Sequence, residues 1–263
     1  MDDTYELLAV RYGHHDRNAA ANFIGGDPHD GPMPLDYFVW VIRNEARTIV
    51  LDTGYDAKSA ARRDRGLVRP VGEGLKLVGV DPESVETVIL SHMHFDHAGN
   101  HDLFPRARYH VQEVEMAFCT GPCMCHEPLR HAFDYEDVAS MIQKLYTGRV
   151  TFHDGVSQIA PGITLHRVGG HSKGLQIVRV QTERGWVVLG SDASHFYANF
   201  EQNRPFPVVE SVTDMMNGYE TMRRLASSPR HIIPGHDPLV LDRYPKALTG
   251  LDDIVRLDLE PVA

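Results

Sequence analysis

The chain has 263 residues, 42% hydrophobic and 24% charged, an ordinary globular composition with enough apolar material for a sizeable core. Its 26 Lys and Arg stand against 36 Asp and Glu, a formal charge of -10, and its densest basic patch is the short ARRDRG at 61–66; that argues against a binder of phosphate backbones, which needs clustered cations. No apolar run approaches the ~18 residues of a membrane span, and MDDTYELLAV at the start carries acids where a signal peptide carries bases, so a soluble cytoplasmic protein with no membrane and no nucleic-acid partner is expected.

Runs rich in Val, Ile and aromatic residues, bounded by turn formers, predict strands over 5–11, 38–43, 48–52 and 85–90, with a helix over 72–78. Further strands are predicted at 107–111 and 150–153, on either side of a helix at 135–146. Strands at 163–168, 175–180 and 186–189 follow, then a helix at 212–226 with apolar residues three and four apart. Two long segments, 13–34 and 118–133, read as irregular; loops of that length are uncommon unless functional or disordered. No linker separates the early strands from the late ones, so one domain over 1–263 is expected. The cysteines, Cys119, Cys123 and Cys125, crowd into FCTGPCMCHE. An odd, local set is a poor disulfide framework, and the cramped C-x3-C-x-C-H lacks a distant ligand pair, so inert thiols in a partly buried loop are expected.

The chemistry concentrates in SHMHFDHAGN, 91–100, which follows the apolar, β-prone VETVIL. It holds His92, His94, Asp96 and His97. In an extended segment side chains alternate, so His92, His94 and Asp96 share a face, and His97 joins them if the chain turns into a helix. A lone histidine reads as a core or surface residue; three with an aspartate in so short a stretch read as metal ligands. Imidazole and carboxylate suit zinc, iron or manganese, and the absence of thiolate argues against a structural cysteine-type zinc site. Three later residues each follow an apolar strand in a Gly-flanked turn: His171 in VGGHSKG, Asp192 in VVLGSDASH and His236 in IIPGHDP.

HMHFDH at 92–97 resembles the HxHxDH signature of the metallo-β-lactamase superfamily. GGHSKG, GSDAS and PGHDP follow in the order of its remaining metal motifs, and LDTGYD at 51–56 resembles its early DTG segment. Within that superfamily, SHMHFDHAGN is most similar to the N-acyl-homoserine lactone lactonases, enzymes of quorum quenching. The resemblance implies an α/β protein, an αββα sandwich of two mixed β-sheets flanked by helices. It implies two divalent metal ions, zinc first among them: His92, His94 and His171 on one, Asp96, His97 and His236 on the other, Asp192 bridging, and Asp52 orienting a ligand imidazole. Two ions ~3.5–4 Å apart can share a hydroxide that attacks a carbonyl carbon. Asp96 and Asp192 thereby count as catalytic, and no serine elbow is needed or present.

Among the reactions of such proteins, opening of a lactone or similar cyclic ester leads. Flavodiiron relatives place Glu where His94 stands, nucleases of the fold carry extra domains, and true β-lactamases lack the bridging Asp. Glyoxalase-II-like thioesterases add a C-terminal helical domain for which 237–263 is too short. Hydrolysis of a thioester or cyclic amide, or a non-catalytic ligand-binding role, are the alternatives. Such lactonases usually carry a Tyr three positions after the bridging Asp, donating to the substrate oxygen. His195 stands there, with Tyr197 two residues on. His195 has the right offset, and Tyr197 shares its side if the segment is extended. A small-molecule substrate is expected; oligomeric state, a homodimer included, is left open.

Overall fold

Strand-forming runs pair into two sheets in the computed structural model, which describes residues 3–262; the ends of the expected domain, Met1, Asp2 and Ala263, lie outside the described residues. The strands are β1 (Glu6–His15), β2 (Leu35–Arg43), β3 (Thr48–Leu51), β4 (Gly66–Leu67), β5 (Thr87–Ile89), β6 (Arg108–Gln112) and β7 (Val150–His153). After them come β8 (Val156–Ala160), β9 (Ile163–Arg167), β10 (Gln176–Thr182), β11 (Gly185–Ser191), β12 (Ile232–Pro234), β13 (Lys246–Leu248) and β14 (Leu251–Arg256). The first sheet has nine strands in the order β13-β14-β1-β2-β3-β5-β6-β7, with β4 on β1. It is antiparallel up to β3 and parallel from β3 to β7. The second runs β12-β11-β10-β9-β8, with only the β11–β12 pair parallel.

The helices are α1 (Ala57–Arg62), α2 (Val71–Leu77), α3 (Glu113–Cys119), α4 (Glu127–Arg130), α5 (Tyr135–Tyr146), α6 (Tyr197–Glu201), α7 (Val212–Leu225) and α8 (Leu239–Arg243). Leu75 of α2, Met116 of α3 and Met141 of α5 share one buried cluster with Val10, Val39, Val41 and Val88 of the first sheet. The opposite side chains of the same strands, Leu7, Ala9, Phe38 and Trp40, share a second cluster with Leu165 and Ile177 of the second sheet and with Met215, Tyr219 and Met222 of α7. The layers therefore run helix, sheet, sheet, helix, an αββα sandwich. This explains LDYFVWVIR of β2, buried at every position but the last: a strand covered on both faces has no polar side and reads as a continuous apolar run.

Several elements depart from the sequence expectation. Strand β1 runs on to His15 through a bulge between Arg11 and Gly13, so the first long segment begins later than expected. The segment 118–133 is not irregular throughout: it contains the end of α3, a 3-10 turn at Pro122–Cys125 and α4. Strands β4, β8, β13 and β14 carry no clear signal of their own. LDDIVR of β14 has adjacent acids, yet it pairs with β1, Ile254 opposite Val10; tertiary pairing overrides weak intrinsic preference. Among the described residues no helix is long and apolar enough to cross a membrane.

The ends of β3, β5, β11 and β12 and the β9–β10 connection open toward one edge, where the histidine motifs lie. Leu7 sits fully buried in the layer between the sheets. Leu7→Ala should cost about 2–5 kcal/mol of stability through the lost burial and the cavity left behind, read as a lower urea midpoint at unchanged slope.

Candidate metal centre

Strand β5 ends at Ile89 and the chain leaves the sheet at Ser91. It then closes a single turn: the N–H groups of His97 and Ala98 both donate to the His94 carbonyl, at 3.0 Å each. One turn, not a helix, brings His97 round, and it takes Asp96 off the face that simple alternation assigned to it. Three groups of possible ligand atoms result among the described residues, those of each lying within 4.8 Å of one another: His92, His94 and His171; Asp96, His97, Asp192 and His236; and His171, Asp192 and His195, which overlaps the first two. All eight side chains are buried.

Asp192 stands where the groups meet. Its Oδ2 is 3.1 Å from His171 Nε2, while its Oδ1 is 2.8 Å from His236 Nε2 and 3.2 Å from His97 Nε2. Asp96 Oδ2 lies 3.5 Å from His97 Nε2 and 3.7 Å from His236 Nε2. The Asp192 and His236 loops are laced together by backbone bonds, Gly235 N–H to Ser194 O and His236 N–H to His195 O, at 2.9 Å each. That lacing requires glycine at 235: a Cβ there would sit 2.8 Å from Asp192 Oδ1 and 2.7 Å from the Ser191 carbonyl carbon.

The remote ring nitrogens are held from behind. His97 Nδ1 donates to Asp52 Oδ2 at 2.7 Å, His171 Nδ1 to Val208 O at 2.8 Å, and His236 Nδ1 to Asp36 O at 2.9 Å. A proton kept on Nδ1 leaves the Nε2 lone pair facing inward, as a metal ligand must. Asp52 directly follows β3 at a φ of 63°, and its carboxylate also accepts from the Ser91 N–H at 2.7 Å and the Ser91 hydroxyl at 2.8 Å. Glu115 does comparable work and was missed in the sequence. Fully buried, it accepts from the Met93 N–H at 2.9 Å, the Ser172 hydroxyl at 2.6 Å and the Gly174 N–H at 2.7 Å, tying the 92–97 turn to the 171–174 loop. Its signal was an acid on the apolar side of a short helix, beside Met116 and one turn before Phe118.

Burial, reinforced by the neighbouring imidazoles, drives His92 and His94 well below the usual imidazole pKa. Burial also works against a charged His97, but Asp192, Asp96 and Asp52 outweigh it and hold that pKa well above the usual value. Burial likewise opposes a charged Asp192, and the surrounding imidazoles outweigh it, so its pKa falls well below the carboxylate range. His92 Nε2, His97 Nε2 and Asp192 Oδ1 are buried and close to other polar atoms, yet none is aligned in a hydrogen bond. Such orphans cost ~1–3 kcal/mol each in a plain core; they fit donor atoms that a cation would take up, with His97 giving up its Nε2 proton as the ion binds. A nitrogen and oxygen donor set without thiolate suits divalent first-row ions.

His195 and Tyr197 part company. His195 Nε2 turns to Asp192 Oδ2 at 3.1 Å, and its ring stacks on Phe206 with centroids 3.5 Å apart. Tyr197 does not share that side, because the segment is not extended: the chain turns at Ala193–Ser194 and α6 begins at Tyr197. The Tyr197 ring packs in the cluster shared by the two sheets, under the Arg243 guanidinium at 3.8 Å. Cys119 is buried, Cys123 half-buried and Cys125 exposed, all as free thiols outside the ligand groups. Segment 118–133 touches the site at its end instead, through Phe95 N–H to Ala132 O at 2.9 Å and the Phe133 ring edge-on to His94. A cavity of about 120 Å³ opens over His94, Asp96, His171, Asp192, His195 and His236, walled by Leu35, Tyr37, Phe206 and Val208.

Residues 33–260 match the metallo-beta-lactamase superfamily. The chain is 33% identical over 190 residues to the N-acyl homoserine lactonase AiiA of Bacillus thuringiensis subsp. kurstaki, covering 66% of this chain and 70% of that one. An N-acyl homoserine lactone hydrolase with its product N-hexanoyl-L-homoserine at the catalytic metal centre superposes with a TM-score of 0.75 at 22% identity, over 91% of this chain and 96% of that one. AidC, a dizinc quorum-quenching lactonase, superposes with a TM-score of 0.67 at 14% identity, over 88% and 86%.

Asp52→Asn keeps shape and tolerates the positive φ but removes the charge behind His97. Affinity for a divalent ion should fall ~10–100-fold, measured by chelator competition, with the fold retained by circular dichroism.

Proposed function

Because the chain belongs to the metallo-beta-lactamase superfamily, we propose that it is a single-domain dinuclear hydrolase, with zinc in both positions, that opens the ring ester of a small-molecule lactone. The observation that carries this reading is Asp192, which turns one carboxylate oxygen toward each group of imidazoles. His92, His94 and His171 would hold one ion, Asp96, His97 and His236 the other, with Asp192 common to both. Two ions so held supply a water that is deprotonated near neutral pH and a Lewis acid for the carbonyl oxygen.

The chain's own residues do the rest. Asp52 and the carbonyls of Asp36 and Val208 keep protons on the outer ring nitrogens, so the inner ones stay free for coordination. Glu115 holds two ligand loops at fixed separation, which preorganises the site. Leu35, Phe206 and Val208 exclude bulk water from the cavity, strengthening every polar interaction inside it. We assign to His195 the donor role toward the substrate's oxygens: its Nε2 faces Asp192 Oδ2 at 3.1 Å and would be free to donate once bound ions take up that carboxylate. Burial pushes its pKa down to about 3, so it stays neutral at working pH. Its Nδ1 has no partner, which assigns the single proton to Nε2 on the site side.

A pH-indicator assay over lactones and thioesters, whose hydrolysis releases a proton near neutral pH, with cyclic amides followed by detection of the freed amine, tests the reaction. About two divalent ions per chain are expected by elemental analysis, and His94→Ala or Asp192→Asn should lower metal content and turnover together. Full activity in metal-stripped protein overturns the reading. His195→Ala should slow turnover ~10²-fold, as loss of one preorganised donor does, with both ions retained. Tyr197→Phe should register in the thermal midpoint rather than in turnover.

A further inference from the structure

Guanidinium groups line the outer wall of the cavity: Arg17 from the first long segment, and Arg63 and Arg65 from the turn after α1. Arg63 is committed elsewhere. It bonds Asp134 Oδ1 at 2.6 Å and the His131 carbonyl at 2.8 Å, and lies over the Phe95 ring. Arg17 and Arg65 are different. Arg17 has only neutral partners, Asn22 Oδ1 at 2.7 Å and the Ala21 carbonyl. Arg65 Nη1 bonds the Arg63 and Asp64 carbonyls at 2.7 and 3.2 Å, and its buried Nε has no partner. Among the described residues neither is paired with an Asp or Glu, in a chain whose formal charge is -10.

Both side chains are half-buried. Burial lowers the proton affinity of Arg17, and the charge on Arg65 lowers it further. His15 feels the same pair: burial, then Arg65 and Arg17, push its pKa down to about 4, so it is neutral there. Two like charges on the wall of one cavity, with reduced solvation, repel each other unless an anion joins them.

Their placement relates them to the metal centre. The Arg17 guanidinium lies 5.1 Å from the Phe206 ring centre, and Phe206 stacks on His195. Arg65 lies beside Tyr37, whose ring meets His236 edge-on at 5.1 Å. Each guanidinium is thus one aromatic ring removed from an imidazole of the site. An anion held by both would sit away from the reacting ester, separate from the carboxylate that ring opening creates.

We infer that Arg17 and Arg65 form a carboxylate-binding subsite, and that the preferred lactone carries a carboxylate apart from its ring ester; this rests on the lactonase reading above. The planar forks of two arginines match a carboxylate with paired, charge-assisted hydrogen bonds. N-acyl homoserine lactones, for which the relatives are named, carry no charge, so this chain would differ from them in substrate charge while sharing their ester chemistry.

The test compares one γ-lactone bearing a ring carboxylate with the same lactone as its neutral primary amide, using metal-loaded full-length protein. The acid should exceed the amide in kcat/KM by about ten- to a hundred-fold, and the preference should shrink at high salt. In the Arg17→Gln/Arg65→Gln protein the preference should collapse, the loss appearing in KM for the acid, with metal content unchanged. Arg17→Gln alone, which leaves the Arg63–Asp64 turn intact, should lose part of it. A wild-type protein that opens the amide as readily as the acid overturns the subsite and leaves the lactonase reading standing, as does a double variant that keeps the preference. If neither compound is opened, the lactonase reading falls and calorimetric titration decides the subsite. Acid binding to wild type, lost in Arg17→Gln, supports it; equal binding of acid and amide overturns it.

Discussion

The carboxylate of Asp192 is the constraint on which the arrangement turns. A buried carboxylate is tolerable only where donors or positive charge meet it, and here imidazole nitrogens meet it from two sides, His171 and His195 at one oxygen, His97 and His236 at the other. Those histidines come from four separate connections, so satisfying one carboxylate requires both sheets to end at the same edge. Glycine at 235 follows from that demand, because any side chain would strike the carboxylate or the strand end that presents it.

Around that contact lies a shell of groups that orient without coordinating. Asp52 and Glu115 are buried acids whose oxygens are spent on N–H and O–H donors of the ligand loops. Each converts a flexible connection into a fixed one, Glu115 from within α3 and Asp52 from the position directly after β3. Rigid elements carry precise sites better than free loops do. The outer wall is built differently. Arg17 and the turn at 63–65 come from irregular segments, where substrate preference can change without disturbing the ligands behind.

Much of the candidate site could be read from one dimension because its candidate ligands are carried in short, local patterns. His92, His94, Asp96 and His97 cluster in sequence, and His171, Asp192 and His236 each sit between an apolar strand and small residues. Their residue types limit the chemistry to nitrogen and oxygen coordination, and the predicted strands 38–43, 48–52 and 85–90 all lie within or across observed strands. Glu115 escaped because an acid on a short amphipathic helix looks like any solvated residue until the loops it joins are brought beside it. Arg17 escaped because an isolated arginine carries no pattern, and Arg65 because ARRDRG reads as a solvated turn; only the fold puts both on one cavity wall without a carboxylate.

The sequence by itself determined the ligand types, their order, and the alternation of apolar strands with small-residue turns that brings them out at strand ends, since these depend on composition and local periodicity. Local periodicity left the partition open; the family resemblance implied it, and tertiary contacts carry it out. Whether Asp96 lies with His92 or with His236 depends on one turn closed by the His94 carbonyl. Whether Tyr197 faces the cavity depends on where α6 begins, and which guanidinium finds an acid depends on Asp134 reaching Arg63 and nothing reaching Arg17 or Arg65 among the described residues. Each is a contact between residues distant in the chain or a reversal of direction within it, and a period of two or of three and a half contains neither.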